Sequence, residues 1–401
     1  MDLDQLLIEL GQNQGSDLHV KTGRPPLFRI AGDLLPQTSY PEIAPEDMKN
    51  TMLRLMGPER MRVFLQEMEA DFSYEIPGFA RFRVNAFIQR GMIGAVMRLV
   101  PLEVPTIEKM GLPDTLKDLC EHPNGLCIIT GPTGSGKSTT LAAMIQYINQ
   151  KFQNHIITIE DPIEFVYTDE LSLINQRELG LDTHELHRAL RAALRQDPDV
   201  ILMGEMRDAE TIHFAITAAE TGHLVFSTLH TNDAKQSLDR ILDTFEGPEA
   251  NQLRMQLALV LRGVISQRLV KRADGQGRIA ALEIMLNTSY IKQLIEEGST
   301  RDLEKAITEG AHHNMQTFNQ ALYALWNKGV ITEGDAFASS SSPEDLKLMF
   351  RGIKRGTSAD ETMQNTATAK PLTSTMTGRP GAAAPAANPA DKKKPNRGFD
   401  F

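Results

Sequence analysis

The chain has 401 residues, which predicts two or three domains at about 100 to 200 residues per domain. Hydrophobic residues make up 41% and charged residues 23%, a composition that argues against collagen-like, wholly disordered and membrane-spanning proteins. The 42 Lys and Arg residues against 52 Asp and Glu residues give a net charge of -10, so a broad electrostatic contact with nucleic acid is not expected.

Residues 1–100 are predicted to form an α+β domain. A short helix is expected from Leu3, a strand near 18–20, a helix around 45–68, and then two strands at 79–89 and 93–100. Residues 79–89 alternate strictly between an apolar and a basic face. The apolar face consists of Phe82, Val84, Ala86 and Ile88, and the other face of Arg81, Arg83 and Asn85. Residues 101–113 contain three prolines and predict a linker.

From residue 125 onwards, short apolar runs alternate with helical stretches. The strands are expected at 126–130, 156–160, 200–203 and 224–229, with helices after Gly136, His184, Asp208 and Asp233. Apolar strands that alternate with helices predict a parallel sheet covered on both faces. A helical region is expected at 249–350, including the amphipathic stretch 316–328, and the Thr-, Ala- and Pro-rich tail from 356 is predicted to be disordered.

The cysteines and the N-terminus indicate where the chain resides. Only Cys120 and Cys127 are present, too few for a four-ligand zinc site, and they are interpreted as buried thiols in a reducing compartment. The N-terminus has two aspartates in place of a basic signal region, and no run approaches the ~18 apolar residues of a membrane helix. We expect a cytoplasmic chain without direct membrane insertion.

The segment 131–138, GPTGSGKS, matches the phosphate-binding pattern G-x-x-x-x-G-K-[ST] between a predicted strand and a predicted helix. The loop and the first residues of the helix are therefore assigned to ATP: Gly131, Pro132, Thr133, Gly134, Ser135, Gly136, Lys137, Ser138 and Thr139. Lys137 would neutralise the β and γ phosphates, and the Ser138 hydroxyl would be a ligand of Mg²⁺.

Acidic residues follow two of the predicted strands. Glu164 comes after the strand at 156–160 and is a candidate for orienting the attacking water, with a capped, solvated acidic turn as the alternative. Glu205 ends the apolar run 199–205 and is a candidate Mg²⁺ ligand, although most P-loop proteins use Asp there. Arg207 is placed to neutralise the γ phosphate, with an exposed arginine at a strand end as the alternative.

Two histidines bracket the predicted strand 224–229. His230, at its C-terminal end, is expected near the phosphates, where it could donate a hydrogen bond to the γ phosphate. His223 lies at the other end, and orienting a loop is the simpler interpretation. Their separation of seven residues argues against a shared metal.

These four ordered segments resemble the secretion ATPase superfamily, and within it the PilT/PilU retraction ATPases of type IV pili. The similarity runs from Gly15 to about residue 350. It implies an N-terminal PAS-like domain (1–100), a linker (101–113), and a RecA-like P-loop ATPase domain with C-terminal helices (114–355), followed by the tail (356–401). It also implies a homohexamer at the cytoplasmic face of the inner membrane, acting on a pilus platform protein.

The resemblance further assigns residue roles. Glu164 becomes the catalytic glutamate, Glu205 the Walker B acid, and His223 and His230 the residues of a histidine box. Three arginines match residues that reach nucleotide at a domain or subunit junction: Arg81, Arg83 and Arg98. The extension and type II secretion ATPases generally carry a four-cysteine zinc element that two cysteines cannot supply, which favours the retraction branch.

Two alternatives remain open from the sequence. Residues 204–207, GEMR, look like PilT, but residues 290–295, YIKQLI, differ from the usual retraction motif AIRNLI, and residues 316–323 and 342–346 look more like PilU. The chain would then be an accessory subunit that depends on a second retraction ATPase. A DNA-translocating motor is less compatible with the net charge.

Overall fold

The structure is a computed structural model that describes residues 2–30, 32–100 and 104–352. Its N-terminal part is built on an antiparallel sheet in the order β3-β2-β1-β6-β5-β4. The strands are β1 (Gly15–Lys21), β2 (Leu27–Ile30), β3 (Asp33–Pro36), β4 (Glu69–Ile76), β5 (Ala80–Gln89) and β6 (Met92–Val100).

Two helices cover this sheet, α1 (Leu3–Gln12) and α2 (Pro45–Glu67). The carboxylate of Asp2 caps α1 by accepting a hydrogen bond from the backbone N–H of Gln5, and α2 bends at Gly57. Their apolar faces pack with the inward residues of the sheet in one core. On β5 the even-numbered residues Phe82, Val84 and Ala86 are buried in this core, so the alternation predicted for 79–89 is confirmed.

The C-terminal part is built on a second sheet, in the order β13-β12-β7-β11-β10-β8-β9. All neighbouring pairs are parallel except the β12–β13 hairpin at one edge. The strands are β7 (Gly125–Thr130), β8 (His155–Glu160), β9 (Leu173–Glu178), β10 (Val200–Glu205), β11 (Leu224–Leu229), β12 (Leu261–Lys271) and β13 (Arg278–Leu286). Because the parallel strands run in the same direction, their carboxyl ends meet at one edge of the sheet.

Helices pack on both faces of this sheet and bury separate apolar cores, and the last three helices form a further core with the hairpin at its edge. They are α3 (Thr115–Cys120), α4 (Lys137–Lys151), α5 (Leu186–Ala193), α6 (Ala209–Glu220), α7 (Ala234–Leu242), α8 (Gly247–Val260), α9 (Ser289–Glu297), α10 (Leu303–Glu309), α11 (Phe318–Asn327), α12 (Glu333–Ser339) and α13 (Pro343–Phe350). Short 3-10 turns occur at Thr300–Asp302 and Gly310–His313. The four strands and four helices predicted between residues 125 and 242 are confirmed.

The prediction of a helical region at 249–350 is confirmed for 249–260, which belong to α8, and is wrong for 261–286. Residues 261–286 form the hairpin of β12 and β13, which pairs with β7 through β12. The edge strand β9 was also not predicted. The amphipathic stretch 316–328 does form a helix, α11, whereas the tail predicted to be disordered lies outside the described residues.

The described part of the predicted linker, 104–113, contains no regular helix or strand, although Ile107 and Leu112 are buried against the core that contains α3 and α4. Cys120 and Cys127 are free and buried, as predicted, and burial raises the pKa of Cys127 to about 12. None of the helices in the described ranges combines the length and the apolar character that crossing a bilayer requires.

Candidate active site

The phosphate loop, residues 131–136, joins the carboxyl end of β7 to the start of α4. Gly131 and Gly136 have φ values of 146° and 89°, in a region that favours glycine. A Cβ at Gly136 would lie only 2.8 Å from the side-chain nitrogen of Gln267, whereas a Cβ at Gly134 would meet nothing within 4 Å. The loop is therefore packed against the protein at Gly136 and open at Gly134.

Lys137 is the first residue of α4, and its ammonium group lies back over the loop. Its Nζ donates to the carbonyl oxygens of Gly131 at 2.8 Å and Pro132 at 3.2 Å. Burial lowers the pKa of Lys137, while the carboxylates of Glu205 and Glu164 act in the opposite direction. Together with the free N–H groups of a helix N-terminus, this arrangement suits an anion with several oxygens.

Gln267 on β12 supports the phosphate loop from beneath, and its side chain is fully buried. The Nε2 group donates to the carbonyl of Ser135 at 2.8 Å, and Oε1 accepts from the Thr140 hydroxyl at 2.7 Å. One side chain thus connects the loop to the first turn of α4.

The acidic loop, residues 161–165, leaves the carboxyl end of β8 and contains a cis Asp161–Pro162 bond. Glu160 points inward, where Oε1 accepts from the Thr158 hydroxyl at 2.6 Å and from Gln176 Nε2 at 3.3 Å, and desolvation raises the pKa of Glu160. Glu164 instead has a side chain that is 42% exposed. Of these two carboxylates, Glu164 is the one placed to meet a ligand.

Glu205 ends β10 and lies between the side chains of Arg207 and His230. Arg207 Nε donates to Glu205 Oε2 at 2.8 Å, and His230 Nε2 lies 3.5 Å from the same oxygen. The Nδ1 atom of His230 is 3.5 Å from the hydroxyl of Thr133 in the phosphate loop. The structure therefore brings together Glu205, Arg207 and His230 beside the loop.

The three predicted arginines of the N-terminal sheet have different partners. Arg81 Nη2 donates to the buried carboxylate of Glu178 at 2.5 Å, and Arg83 Nη1 lies 3.4 Å from Glu164. Arg98, on β6, pairs with the buried Asp17 at 2.7 Å. Arg81 and Arg83 thus reach the end of the C-terminal sheet that carries the acidic loop, whereas Arg98 is held within the N-terminal part.

His223 is not brought to the phosphate loop. It precedes β11, its carbonyl accepts from the N–H of Gly125 at the start of β7, and its Nδ1 lies 2.8 Å from the carbonyl of Ala218. This is the end of the strands opposite to the loop. Within a single chain, His223 therefore does not lie at the predicted nucleotide site. Its contacts fit the simpler interpretation, in which it orients a loop.

Three residues of the site were not predicted from the sequence: Gln176, Glu178 and Gln267. The first two lie on the unpredicted strand β9, and the third lies where a helix was expected. A glutamine between the apolar pairs 264–265 and 269–270 is the signal that could have indicated a buried hydrogen-bonding role.

A strand, a glycine loop and a helix in this order bind the phosphates of nucleotides, so the fold and the site together define the class of P-loop nucleotide-binding proteins. Within that class, the chain belongs to the family described as type II/IV secretion system protein, whose profile matches residues 2–330.

Relatives of the chain are similar over most of its length. The type IV pilus retraction ATPase PilT of Pseudomonas aeruginosa is 46% identical over 346 residues, which are 86% of this chain and 100% of the relative. The type IV pilus ATPase PilU of the same organism is 42% identical over 360 residues, which are 90% of this chain and 93% of the relative. A crystal structure of the pilus retraction motor PilT with bound ADP has a TM-score of 0.81 at 44% identity, covering 86% of this chain and 99% of that chain.

Proposed function

We propose that this chain is an Mg²⁺-dependent ATPase that drives the retraction of type IV pili and thereby twitching motility. The observation that carries the proposal is the meeting of the phosphate loop with Glu164 and Glu205 at one edge of the sheet. The similarity to PilT and to a twitching motility protein of Neisseria gonorrhoeae, 45% identical over 323 residues that are 80% of this chain and 86% of the relative, supports the biological role.

In this mechanism the chain's residues bind and orient the nucleotide. Lys137 and the amides of the phosphate loop hold the β and γ phosphates, and Glu164 orients the attacking water. Arg207 neutralises charge on the terminal phosphate, and His230 donates a hydrogen bond to it. Arg81, Arg83 and Arg98 are proposed to reach nucleotide at a domain or subunit junction, and His223 is proposed to be the second residue of the histidine box.

The donor set for magnesium fits the ion. Ser138 on the first turn of α4 and Glu205 would supply the hard oxygen ligands that Mg²⁺ prefers. Within the described ranges, no group of three or more His, Cys, Asp or Glu side chains is placed to hold a metal ion. Mg²⁺ in nucleotide sites is usually held by one or two side chains together with phosphate oxygens. When bound, Mg²⁺ would neutralise the phosphate charge.

We further propose a PAS-like domain at 1–100, a linker at 101–113 and a RecA-like ATPase domain at 114–355. The separate antiparallel and parallel sheets support this division. Six copies would form a ring in the cytoplasm beneath an inner-membrane platform protein of the pilus.

A second candidate is an accessory ATPase of the PilU type that acts with a partner motor. It is favoured by the alignment with PilU, which covers a larger share of this chain than the alignment with PilT. Hydrolysis by the purified chain with and without a partner ATPase separates the two.

The test of the proposal uses two substitutions in the full chain. Lys137→Ala should lose ATP affinity because the cation over the loop is removed, whereas Glu164→Gln should bind ATP but turn over at least about 100-fold more slowly. Nucleotide binding and phosphate release are measured for both.

Lys151→Ala at the other end of α4 and the exposed Glu170→Gln are matched controls that should hydrolyse ATP like the unmodified chain. Unchanged hydrolysis in both site variants would contradict the residue assignments. No hydrolysis by the unmodified chain, alone and with a partner ATPase, would contradict the proposed function.

A further inference from the structure

Glu178, the last residue of β9, joins two parts of the molecule through one buried carboxylate. The carboxylate is 2% exposed. Its Oε1 accepts from the hydroxyl of Ser73 at 2.7 Å, and its Oε2 accepts from Arg81 Nη2 at 2.5 Å. The same Oε2 also accepts from the backbone N–H of Ile163, at 3.1 Å. Ser73 and Arg81 lie on β4 and β5 of the N-terminal sheet, whereas Ile163 lies in the acidic loop.

A second side chain of β9 holds the residues that follow. Gln176 donates through Nε2 to the carbonyl of Phe165 at 2.8 Å and accepts through Oε1 from the N–H of Tyr167 at 2.9 Å. Since residues 176 and 178 are two apart, they project from the same face of the strand. Glu164 therefore lies between backbone groups that β9 fixes on both sides.

The contacts of Glu178 cannot be separated from one another. A buried carboxylate is stable only when it is paired and its oxygens are hydrogen-bonded, so Glu178 requires Arg81 and Ser73. The oxygen that accepts from Arg81 is the one that accepts from Ile163. A displacement of the N-terminal sheet would therefore move the acceptor to which the acidic loop is attached.

We infer that Glu178 is a positioning residue for ATP hydrolysis, which attaches Ile163, and through it the neighbouring Glu164, to Arg81 and Ser73 of the N-terminal sheet. The inference rests on the proposed function, in which Glu164 orients the attacking water. Beyond that function, the position of Glu164 depends on the N-terminal sheet through the carboxylate of Glu178.

The experiment combines Glu178→Gln with Glu164→Gln in the full chain. The amide in Glu178→Gln retains the shape of the side chain but has only one oxygen, which cannot accept from all three donors. We expect kcat to fall about tenfold with KM for ATP changed less than about twofold, because the contacts of Lys137 and Gln267 with the phosphate loop remain. In the Glu164→Gln background, Glu178→Gln should cause no further loss of the single-turnover rate.

Arg60→Ala is the matched control for general contact between the two parts of the molecule. Arg60 on α2 donates to the carbonyl of Gly180, after β9, at 3.1 Å, and is not hydrogen-bonded to the acidic loop. This variant should keep the kcat of the unmodified chain. If Glu178→Gln does not fold, Ser73→Ala removes one donor to Glu178 and should lower kcat about threefold at unchanged KM, again only when Glu164 is present.

The outcomes separate this inference from the proposed function. An unmodified chain that hydrolyses ATP, loses activity with Glu164→Gln and is unaffected by Glu178→Gln would overturn the role of Glu178 alone. Equal losses with Glu178→Gln in both backgrounds, or a change only in KM, would also overturn it, since a general structural role produces those results.

Discussion

At the scale of single residues, the phosphate loop depends on a polar side chain that the loop's own sequence does not contain. Gln267 is buried under the loop and satisfies the carbonyl of Ser135 and the hydroxyl of Thr140. Both groups would lose their partner without it, and an unsatisfied buried polar group costs about 1–3 kcal/mol. The glycine pattern identifies the site, whereas Gln267 sets its shape.

Gln267→Leu should therefore weaken nucleotide binding about tenfold while the chain still folds, because leucine has a similar volume but cannot form either hydrogen bond. Titration calorimetry with ADP measures the affinity. The exposed Gln66→Leu in α2 is the control and should bind like the unmodified chain. Equal affinities for Gln267→Leu and the control would show that the loop holds its shape without Gln267.

At the scale of secondary-structure elements, the sequence predicted the strands of the C-terminal sheet that are nearly continuous apolar runs, and it missed the strands in which charged or amide side chains interrupt the run. The first group, β7, β8, β10 and β11, reads as continuous apolar runs because both faces of the sheet are covered. The strand β9 presents Gln176 and Glu178 to the acidic loop, so its sequence lacks that signal. In β13, Ala281, Leu282 and Glu283 are good helix formers, and pairing with β12 overrides that preference.

Glu283 attaches β13 to the start of α7, and it does so as a buried carboxyl group. It accepts from the N–H of Ala234 at 2.8 Å, close to the loop that carries His230. Burial raises the pKa of Glu283 to about 7, with Asp233 and Glu304 adding to the shift and Arg268 and the bond from Ala234 opposing it. The folded chain therefore holds a proton that the unfolded chain has already lost between pH 4.5 and about 7.

The contribution of Glu283 to stability consequently decreases as pH rises through this window, by up to about 3 kcal/mol. Glu283→Gln keeps an oxygen for Ala234 but has no charge to bury. The difference in melting temperature between Glu283→Gln and the unmodified chain should shift in favour of the variant, by several degrees, from about pH 5 to about pH 8. The exposed Glu309→Gln should show no such pH-dependent difference. A difference that is the same at both pH values would place the pKa of Glu283 near its ordinary value.

At the scale of the whole molecule, the candidate site combines groups that local patterns cannot bring together. Arg81 and Arg83 are about 80 to 100 residues away in sequence from Glu178 and Glu164, and only the packing of the two sheets places them side by side. The alternating pattern of β5 correctly identified its basic face. It carried no information about the carboxylates that this face would meet.

Within a single chain, the candidate site is also open to solvent. The side chains of Glu164, Arg207 and His230 are 42%, 67% and 44% exposed. Phosphoryl transfer is faster where water is excluded and fixed charges surround the terminal phosphate, so a neighbouring subunit that covers this edge would complete the site.

For the proposed ring of six copies, we expect sedimentation velocity with ATP and Mg²⁺ to give a particle of about six times the 44.5 kDa chain mass. Hydrolysis per chain should rise with protein concentration over the range in which this particle forms, because a neighbouring subunit would then cover the site. The Lys137→Ala variant serves as the control, since a chain that binds nucleotide poorly should assemble less in response to ATP. A single 44.5 kDa species that hydrolyses ATP at a concentration-independent rate would mean that each chain completes its own site.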